Sequence, residues 1–179
     1  MQEDSVIIEG ARIVFRNFAG KEGPYNREGD RNFSVLLDEE IAEKMLEDGW
    51  NVKYMRQTDP DLPRQAHLPV SVSYKYRPPT VVLTTAKNRT TLDEDDIAIV
   101  DMIDIDFTDL IVRPYPWAVN GKSGIKAYLQ SCYVRIHEDY LRLKYESLEE
   151  LPMRAGRTDE GDVLAIEAGP DWVDGEVVD

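Results

Sequence analysis

Short β-type segments, each closed by a turn signal, are the feature that most restricts what this chain can fold into. Runs rich in β-branched and aromatic residues occupy 5–18, 32–38, 51–56, 70–77, 80–85, 103–112 and 125–136. Clusters of glycine, proline and asparagine separate them, as in AGKEGPYNREGDR. Several short strands at such spacing predict a small β-barrel or sandwich.

Two helical segments are predicted, one between strands and one after the last strand. Asp38 is predicted to cap a helix that carries glutamates in its first turn and reaches Gly49 near its end. A second short helix is predicted within HEDYLRLKYESLEEL (137–151). The expected fold is therefore mainly β (α+β), a small antiparallel β-barrel with one or two short helices.

The acidic charge of the chain is concentrated in two blocks. The formal net charge is −14, from 21 Lys and Arg against 35 Asp and Glu. Residues 93–109 and 158–179 each hold eight acids and no base, which leaves 19 acids against 21 bases elsewhere. The last block is acidic, contains glycine and proline and buries little, so it is predicted to be a flexible tail. We expect a domain at 1–153 and a tail at 154–179.

Two windows without any acid contain many of the cations. Residues 62–92 hold five (Arg64, Lys75, Arg77, Lys87 and Arg89), and residues 111–137 hold four (Arg113, Lys122, Lys126 and Arg135). Cations that neutralise phosphates, mixed with rings that stack on unpaired bases, are typical of surfaces that bind single strands without reading sequence.

Aromatic residues lie among the cations of both windows. Tyr115 and Trp117 stand between prolines in PYPW, which predicts a rigid turn and exposed rings. Asn120-Gly121, with Ser123-Gly124, predicts a basic hairpin tip. Tyr76 alternates with Lys75 and Arg77 on a predicted strand, so its ring faces either the core or the nucleic acid.

Other function classes have weaker support in the sequence. His67, His137 and Cys132 have no metal-ligand spacing, and no nucleotide-binding or hydrolase motif occurs. Asp104 and Asp106 on one strand face leave a Mg²⁺-dependent nuclease as an alternative. A second alternative is an acidic DNA mimic or adaptor that binds a host protein.

The chain has no apolar run near the roughly 18 residues of a membrane span, and its first ten residues have no basic leader region. Its single cysteine fits a reducing compartment. We expect a cytoplasmic protein without metal or cofactor, whose oligomeric state, including a homodimer, stays open.

Two stretches resemble known sequences. The opening GARIVFRNFAGKEGPYNREGDRNFSVLLD is similar to the first strands of phage-encoded single-stranded DNA-binding proteins of the OB-fold class. The stretch VRPYPWAVNGKSGIKAYLQSCYVRI resembles a segment of phage replication-associated proteins.

This resemblance implies an OB-fold-like, non-enzymatic protein that coats single-stranded DNA in phage replication or recombination, within the host cytoplasm. It also implies that the acidic tail recruits replication or recombination proteins. The candidate DNA-binding residues are Arg12, Arg16, Lys75, Tyr76, Arg77, Lys87, Arg89, Arg113, Tyr115, Trp117, Lys122, Lys126, Tyr128 and Arg135. The candidate partner-binding residues of the tail are Asp171, Trp172, Asp174, Glu176 and Asp179.

Overall fold

The computed structural model describes residues 4–146, 148 and 151–152. The chain divides into a unit Met1–Glu138, which holds the sheet, and a unit Asp139–Asp179. In the described part of the second unit the helix α2, Tyr140–Glu146, lies within the predicted helical segment. The predicted tail at 154–179 and its partner-binding residues lie outside the described residues, so the predicted domain boundary stays a prediction.

The N-terminal β segment forms two strands rather than the single one predicted. β1 is Val6–Ala11 and β2 is Ile13–Asn17, and both contain an irregularity in their pairing. β1 pairs with β8, and β2 pairs with β3. Only Arg12 separates them, so one short segment serves two strands at opposite ends of the sheet.

The next elements follow the prediction in order but not in every boundary. They are β3 (Arg31–Leu37), α1 (Glu39–Asp48), β4 (Lys53–Tyr54) and β5 (Ala66–Val72). Asp38 is the residue before α1 but makes no side-chain cap, whereas Gly49 ends the helix at φ 99°. β5 starts earlier than predicted and ends at Val72, so Lys75, Tyr76 and Arg77 lie in a loop.

The remaining strands form two hairpins. β6 (Thr80–Thr84) pairs with β7 (Arg89–Leu92), a strand that lies outside the predicted β-type runs, and a 3-10 helix follows at Ile97–Asp101. β8 (Ile105–Val119) then pairs along its length with β9 (Lys122–Ile136).

The predicted PYPW turn is wrong, because Pro114–Trp117 lie inside β8 opposite Gly124–Ala127. Prolines are tolerated at a strand edge where no hydrogen bond from N–H is needed. β1 meets β8 only as far as Val112, so in the described part of the chain no strand pairs with that edge beyond it. The two prolines stand two residues apart and share that edge.

The sheet is a curled path in the order β1-β8-β9-β5-β3-β2, with β4 and the β6–β7 hairpin attached beside it. The mainly β, OB-fold-like prediction is confirmed. The ladder is mixed rather than purely antiparallel, since β9 runs parallel to β5 and β6. Among the described strands no hydrogen-bonded pairing joins β1 to β2, so the sheet is not closed as a barrel, although these two end strands are neighbours in the chain.

The core lies inside the curl. Alternate residues of β5, such as Leu68 and Val70, are fully buried, and so are Leu129 and Val134 of β9. The rings of Phe18 and Phe33 stack at 5.0 Å in the core. The opposite sides of these strands face solvent. No helix in the described residues is long and apolar enough to cross a membrane.

Candidate nucleic-acid interface

The solvent-facing side of the β8–β9 hairpin carries rings and cations in adjacent positions. Arg113, Tyr115 and Trp117 are alternate residues of β8 and share one face. Directly opposite them in β9 stand Tyr128, Lys126 and Gly124, respectively. Paired residues of neighbouring strands point to the same side of a sheet. We call Arg113, Tyr115, Trp117, Lys126 and Tyr128 the hairpin cluster.

Tyr115 and Trp117 of the hairpin cluster are exposed, Tyr128 is half-buried, and the two tyrosine rings contact each other. Tyr115 and Tyr128 meet edge to face with centroids 5.6 Å apart, and Lys126 Nζ lies 5.1 Å from the Tyr128 centroid. The exposed fractions of Tyr115 and Trp117 are 57% and 38%. Stacking platforms need a fixed ring with a free face, and a strand supplies that fixation better than a loop.

Gly124 is the seat of the Trp117 indole. A Cβ built at Gly124 would lie 3.0 Å from one indole carbon and 3.1 Å from the next two atoms. The glycine therefore lets the ring pack flat against the β9 backbone, the arrangement by which aromatic residues protect glycines in strands.

The tip and flank of the hairpin are also defined. Asn120 and Gly121 both have positive φ, at 53° and 78°, which is the two-residue turn predicted for this sequence. Lys122 follows as the first residue of β9 and is exposed. The Ile125 amide donates to the Gly49 carbonyl at 2.8 Å, and its carbonyl accepts from Asn51 at 3.0 Å, so the end of α1 holds the hairpin in place.

A cleft continues from the hairpin cluster across the sheet. Ser71 of β5 pairs with Tyr128 on one side and with Asn32 of β3 on the other. The cleft has a volume of about 910 Å³. Its charged lining residues are Arg31, Lys53, Lys75, Lys126, Glu28, Asp30 and Glu94. Cations thus outnumber acids here by one, in a chain whose net charge is strongly negative.

One end of the cleft is fixed by Arg31. Its Nη1 donates to Glu94 Oε1 at 3.2 Å, and its guanidinium lies 5.4 Å from the Tyr74 ring centroid. Burial raises the pKa of Tyr74 to about 12, against the lowering effect of Arg31, so this phenol stays neutral at neutral pH.

Three predicted DNA-binding arginines lie away from this cleft. Arg16 Nη1 donates to the carbonyls of Val100 and Ile103 at 2.7 Å each, so it fastens the 3-10 helix to β2. Arg12 is exposed on the lining of a different cavity, between β1 and α1. Arg135 Nη2 lies 3.9 Å from Glu138 Oε2.

Five other predicted DNA-binding residues are exposed and lie in loops, in a turn or at the start of a strand. Lys75 lines the cleft, while Tyr76, 86% exposed, and Arg77 follow it in the β5–β6 loop. Lys87 lies in the β6–β7 turn, and Arg89 is the exposed first residue of β7.

The prediction missed polar residues of the face. Asn32, Ser71 and Lys53 line the cleft without belonging to a charged or aromatic motif. The signal for Ser71 was the alternation of residue types in AHLPVSV (66–72), and in the structure His67, Pro69 and Ser71 are half-buried between buried neighbours. Phe15 was also missed as an exposed ring.

The acidic block has structural contacts. Asp101 accepts hydrogen bonds from the amides of Phe18 and Ala19 at 2.8 and 2.9 Å. Asp106 Oδ1 lies 2.8 Å from His137 Nδ1. Within the described part of the chain, no group of three His, Cys, Asp or Glu side chains could hold a metal ion. Cys132 is buried, which raises the pKa of its thiol to about 12.

Comparison with known proteins gives a family and a fold. A family model described as "Putative phage ssDNA-binding domain" matches residues 1–179. A C-terminally truncated single-stranded DNA-binding protein from bacteriophage Enc34 has a similar structure, with a TM-score of 0.51 and 15% identity over 75% of this chain and 87% of that one. At this identity, the likeness establishes the fold.

Two further structures are more distant. The Enc34 protein in complex with ssDNA gives a TM-score of 0.49 at 14% identity, covering 75% of this chain and 88% of that one. The single-stranded DNA-binding protein gp2.5 of bacteriophage T7 gives 0.39 at 10% identity, covering 86% and 100%. No curated protein matches the chain significantly in sequence.

Proposed function

Since the chain belongs to the family of phage ssDNA-binding domains, we propose that single-stranded DNA lies on the outer face of its sheet, along the hairpin cluster and the adjoining cleft. The observation that carries this proposal is the pairing of Tyr115 with Lys126 and of Arg113 with Tyr128 on one exposed face. Rings for bases and cations for phosphates thus alternate within one strand spacing, about 5 Å.

The physical contributions are those of sequence-tolerant binding. Each base stacked on an aromatic ring contributes about 1–3 kcal/mol, whichever base it is. Each phosphate neutralised by Lys126 or Arg113 releases counterions, so the affinity falls as salt rises. Lys126 and Arg113, extended by Lys122 at the hairpin tip and by Lys75 on the lining of the cleft, form a row of cations that we call the positive track. The exposed Tyr76, Arg77, Lys87 and Arg89 are additional contacts in this proposal.

The proposed role is to coat and protect single-stranded DNA in phage replication or recombination, in the host cytoplasm and without catalysis. The acidic segment 154–179 recruits replication or recombination proteins and competes with DNA for the positive track. Removing this segment should tighten the binding of oligo-dT. Unchanged binding would contradict the competition. The homodimer stays a prediction, to be measured by sedimentation of the purified protein.

The test of the DNA face is a titration of fluorescein-labelled dT12 at low salt, followed by anisotropy. Tyr115→Ala should weaken binding about 5- to 150-fold, which is one stacked base at 1.4 kcal/mol per tenfold change. Tyr133→Ala is the matched control, because Tyr133 is likewise an exposed tyrosine but lies in β9, five residues beyond Tyr128 and outside the hairpin cluster. Equal effects of the two changes, or no effect of Tyr115→Ala and Lys126→Ala, would refute the proposed face.

The two alternatives are separated by the same reagents. A DNA mimic would give no shift of dT12 at micromolar protein while capturing a host protein. A nuclease would cleave single- or double-stranded DNA with Mg²⁺ or Mn²⁺, and Asp104→Asn or Asp106→Asn would abolish the cleavage.

A further inference from the structure

Phe15 has a backbone conformation that is rare for an aromatic residue. Its φ is 51°, in the left-handed region, where the Cβ of an L-residue crowds the backbone. The residue belongs to the pairing irregularity of β2 between Val14 and Asn17. Bulges redirect side chains, and backbone strain of this kind persists where surrounding structure enforces it.

The strained backbone does not bury the ring. The exposed fraction of Phe15 is 63%, so the ring gains little from the hydrophobic effect. Its ring lies edge to face with the His67 imidazole, at 5.6 Å between centroids and 70° between planes. A conformational cost without a packing gain is the signature expected of a binding residue.

His67 holds that arrangement in position. Its Nδ1 lies 3.0 Å from the hydroxyl of Ser34, a buried residue of β3. Lys53 of β4 pairs directly with His67 and lines the cleft. Burial, and secondarily the charge of Lys53, lower the pKa of His67, so its ring is neutral at neutral pH.

The Phe15–His67 pair lies on the same side of the sheet as the proposed DNA face. His67, Pro69 and Ser71 alternate along β5, and Ser71 is the partner of Tyr128. Ser71 lies four positions after His67, a distance of about 13 Å along the strand. Pro69 and Ser34, which are paired with each other, line the cleft between the two ends.

We propose that Phe15 and His67 form a second base-stacking platform, so that one bound DNA strand runs from the hairpin cluster across β5 and β3 to β2. This inference rests on the proposed DNA face and extends it. Phe15 contacts a base, His67 orients the Phe15 ring, and Lys53 holds the phosphate between the two platforms.

Phe15→Asn tests the platform in the full-length protein. The change removes the ring, while asparagine tolerates the left-handed region, so the melting temperature should stay the same or rise. Affinity for dT12 should fall about 5- to 150-fold, equal to one stacked base at 1.4 kcal/mol per tenfold change. Phe107→Ala, which removes a half-exposed phenylalanine near the start of β8, should leave the affinity unchanged.

A second variant reports the contact directly. Phe15→Trp in a Trp117→Phe, Trp172→Phe background keeps a ring at both platforms. In this background dT12 should quench the fluorescence more than it does with Phe15 in place, where Trp50 is the one remaining tryptophan of the sequence. Unchanged affinity of Phe15→Asn with no quenching, while Tyr115→Ala still weakens binding, would overturn the second platform and leave the proposed face standing. If neither Phe15→Asn nor Tyr115→Ala weakens binding, the proposed face itself fails. A lower melting temperature with unchanged affinity would assign Phe15 to packing and also overturn the inference.

Discussion

The contact between Gly124 and Trp117 gives the sharpest test of how the hairpin cluster is built. In Gly124→Ala the new Cβ would stand 3.0–3.1 Å from three indole atoms. Carbon atoms attract one another best at about 3.5–4.0 Å, so the ring must withdraw by roughly 0.5–1 Å. The exposed side of the indole gives it room to do so.

The magnitudes predict that Gly124→Ala leaves the stability of the protein nearly unchanged and weakens DNA binding. Turning the indole off its rotamer costs about 0.5–1.5 kcal/mol. Replacing glycine by alanine restricts the unfolded chain and returns about 0.4–1 kcal/mol. The free energy of unfolding should therefore change by less than about 1 kcal/mol. The displaced ring should lose most of one base stack, about 1–3 kcal/mol of binding free energy.

The assay pairs urea unfolding with a dT12 titration followed by tryptophan quenching. Gly23→Ala is the matched control, because a Cβ at Gly23 meets no atom within 4 Å. Unaltered affinity and quenching in Gly124→Ala would refute the idea that the packing of Trp117 on Gly124 positions the indole for DNA. A loss of stability well above 2 kcal/mol would show that the contact supports the fold instead.

Four further outcomes follow from described contacts. Lys126→Ala should reduce the slope of log affinity against log salt by about 0.7, measured with dT12 between 50 and 300 mM salt. An unchanged slope would show that Lys126 contacts no phosphate. Arg16→Ala should lower the free energy of unfolding by about 1.5–3 kcal/mol, because two carbonyls lose a charged donor, while the affinity of the folded protein stays the same. The lowered pKa of His67 favours its neutral form in the folded state, so stability is full above pH 6.5 and declines as pH falls towards the lowered value; His67→Gln should show a smaller decline in urea unfolding. Cys132, whose thiol pKa is raised to about 12, should react with a thiol reagent only after unfolding, and rapid reaction in native buffer would contradict its burial.

The sequence predicted local features best where the local chemistry leaves few choices. Asn120-Gly121 predicted a hairpin tip, and both residues have the positive φ that such a turn requires. Gly49 ended the first helix for the same reason. Tyr115 and Lys126 were both chosen as DNA-binding candidates, and the structure brings them opposite each other.

The errors come from tertiary context. Proline in PYPW predicted a turn, yet a proline at an edge without a partner costs a strand nothing, and only the position of β1 reveals that edge. Arg16 looked like a free cation because its acceptors lie more than 80 residues away. Phe15 gave no signal, since a bulge depends on the pairing of two strands and leaves no mark in one of them.

The division of one N-terminal segment between the two ends of the sheet has a consequence for synthesis. β2 meets β3 within about 20 residues, but Val6 must wait for Val112, more than 100 residues later. Because synthesis adds about 5–20 residues per second, the edge of β1 that pairs with β8 has no partner for roughly 5–20 s in each round of translation. β1 is thus among the last of the described strands to pair. The nascent chain with β1 unpaired, rather than the finished sheet, is therefore the stage most exposed to wrong pairing with another chain.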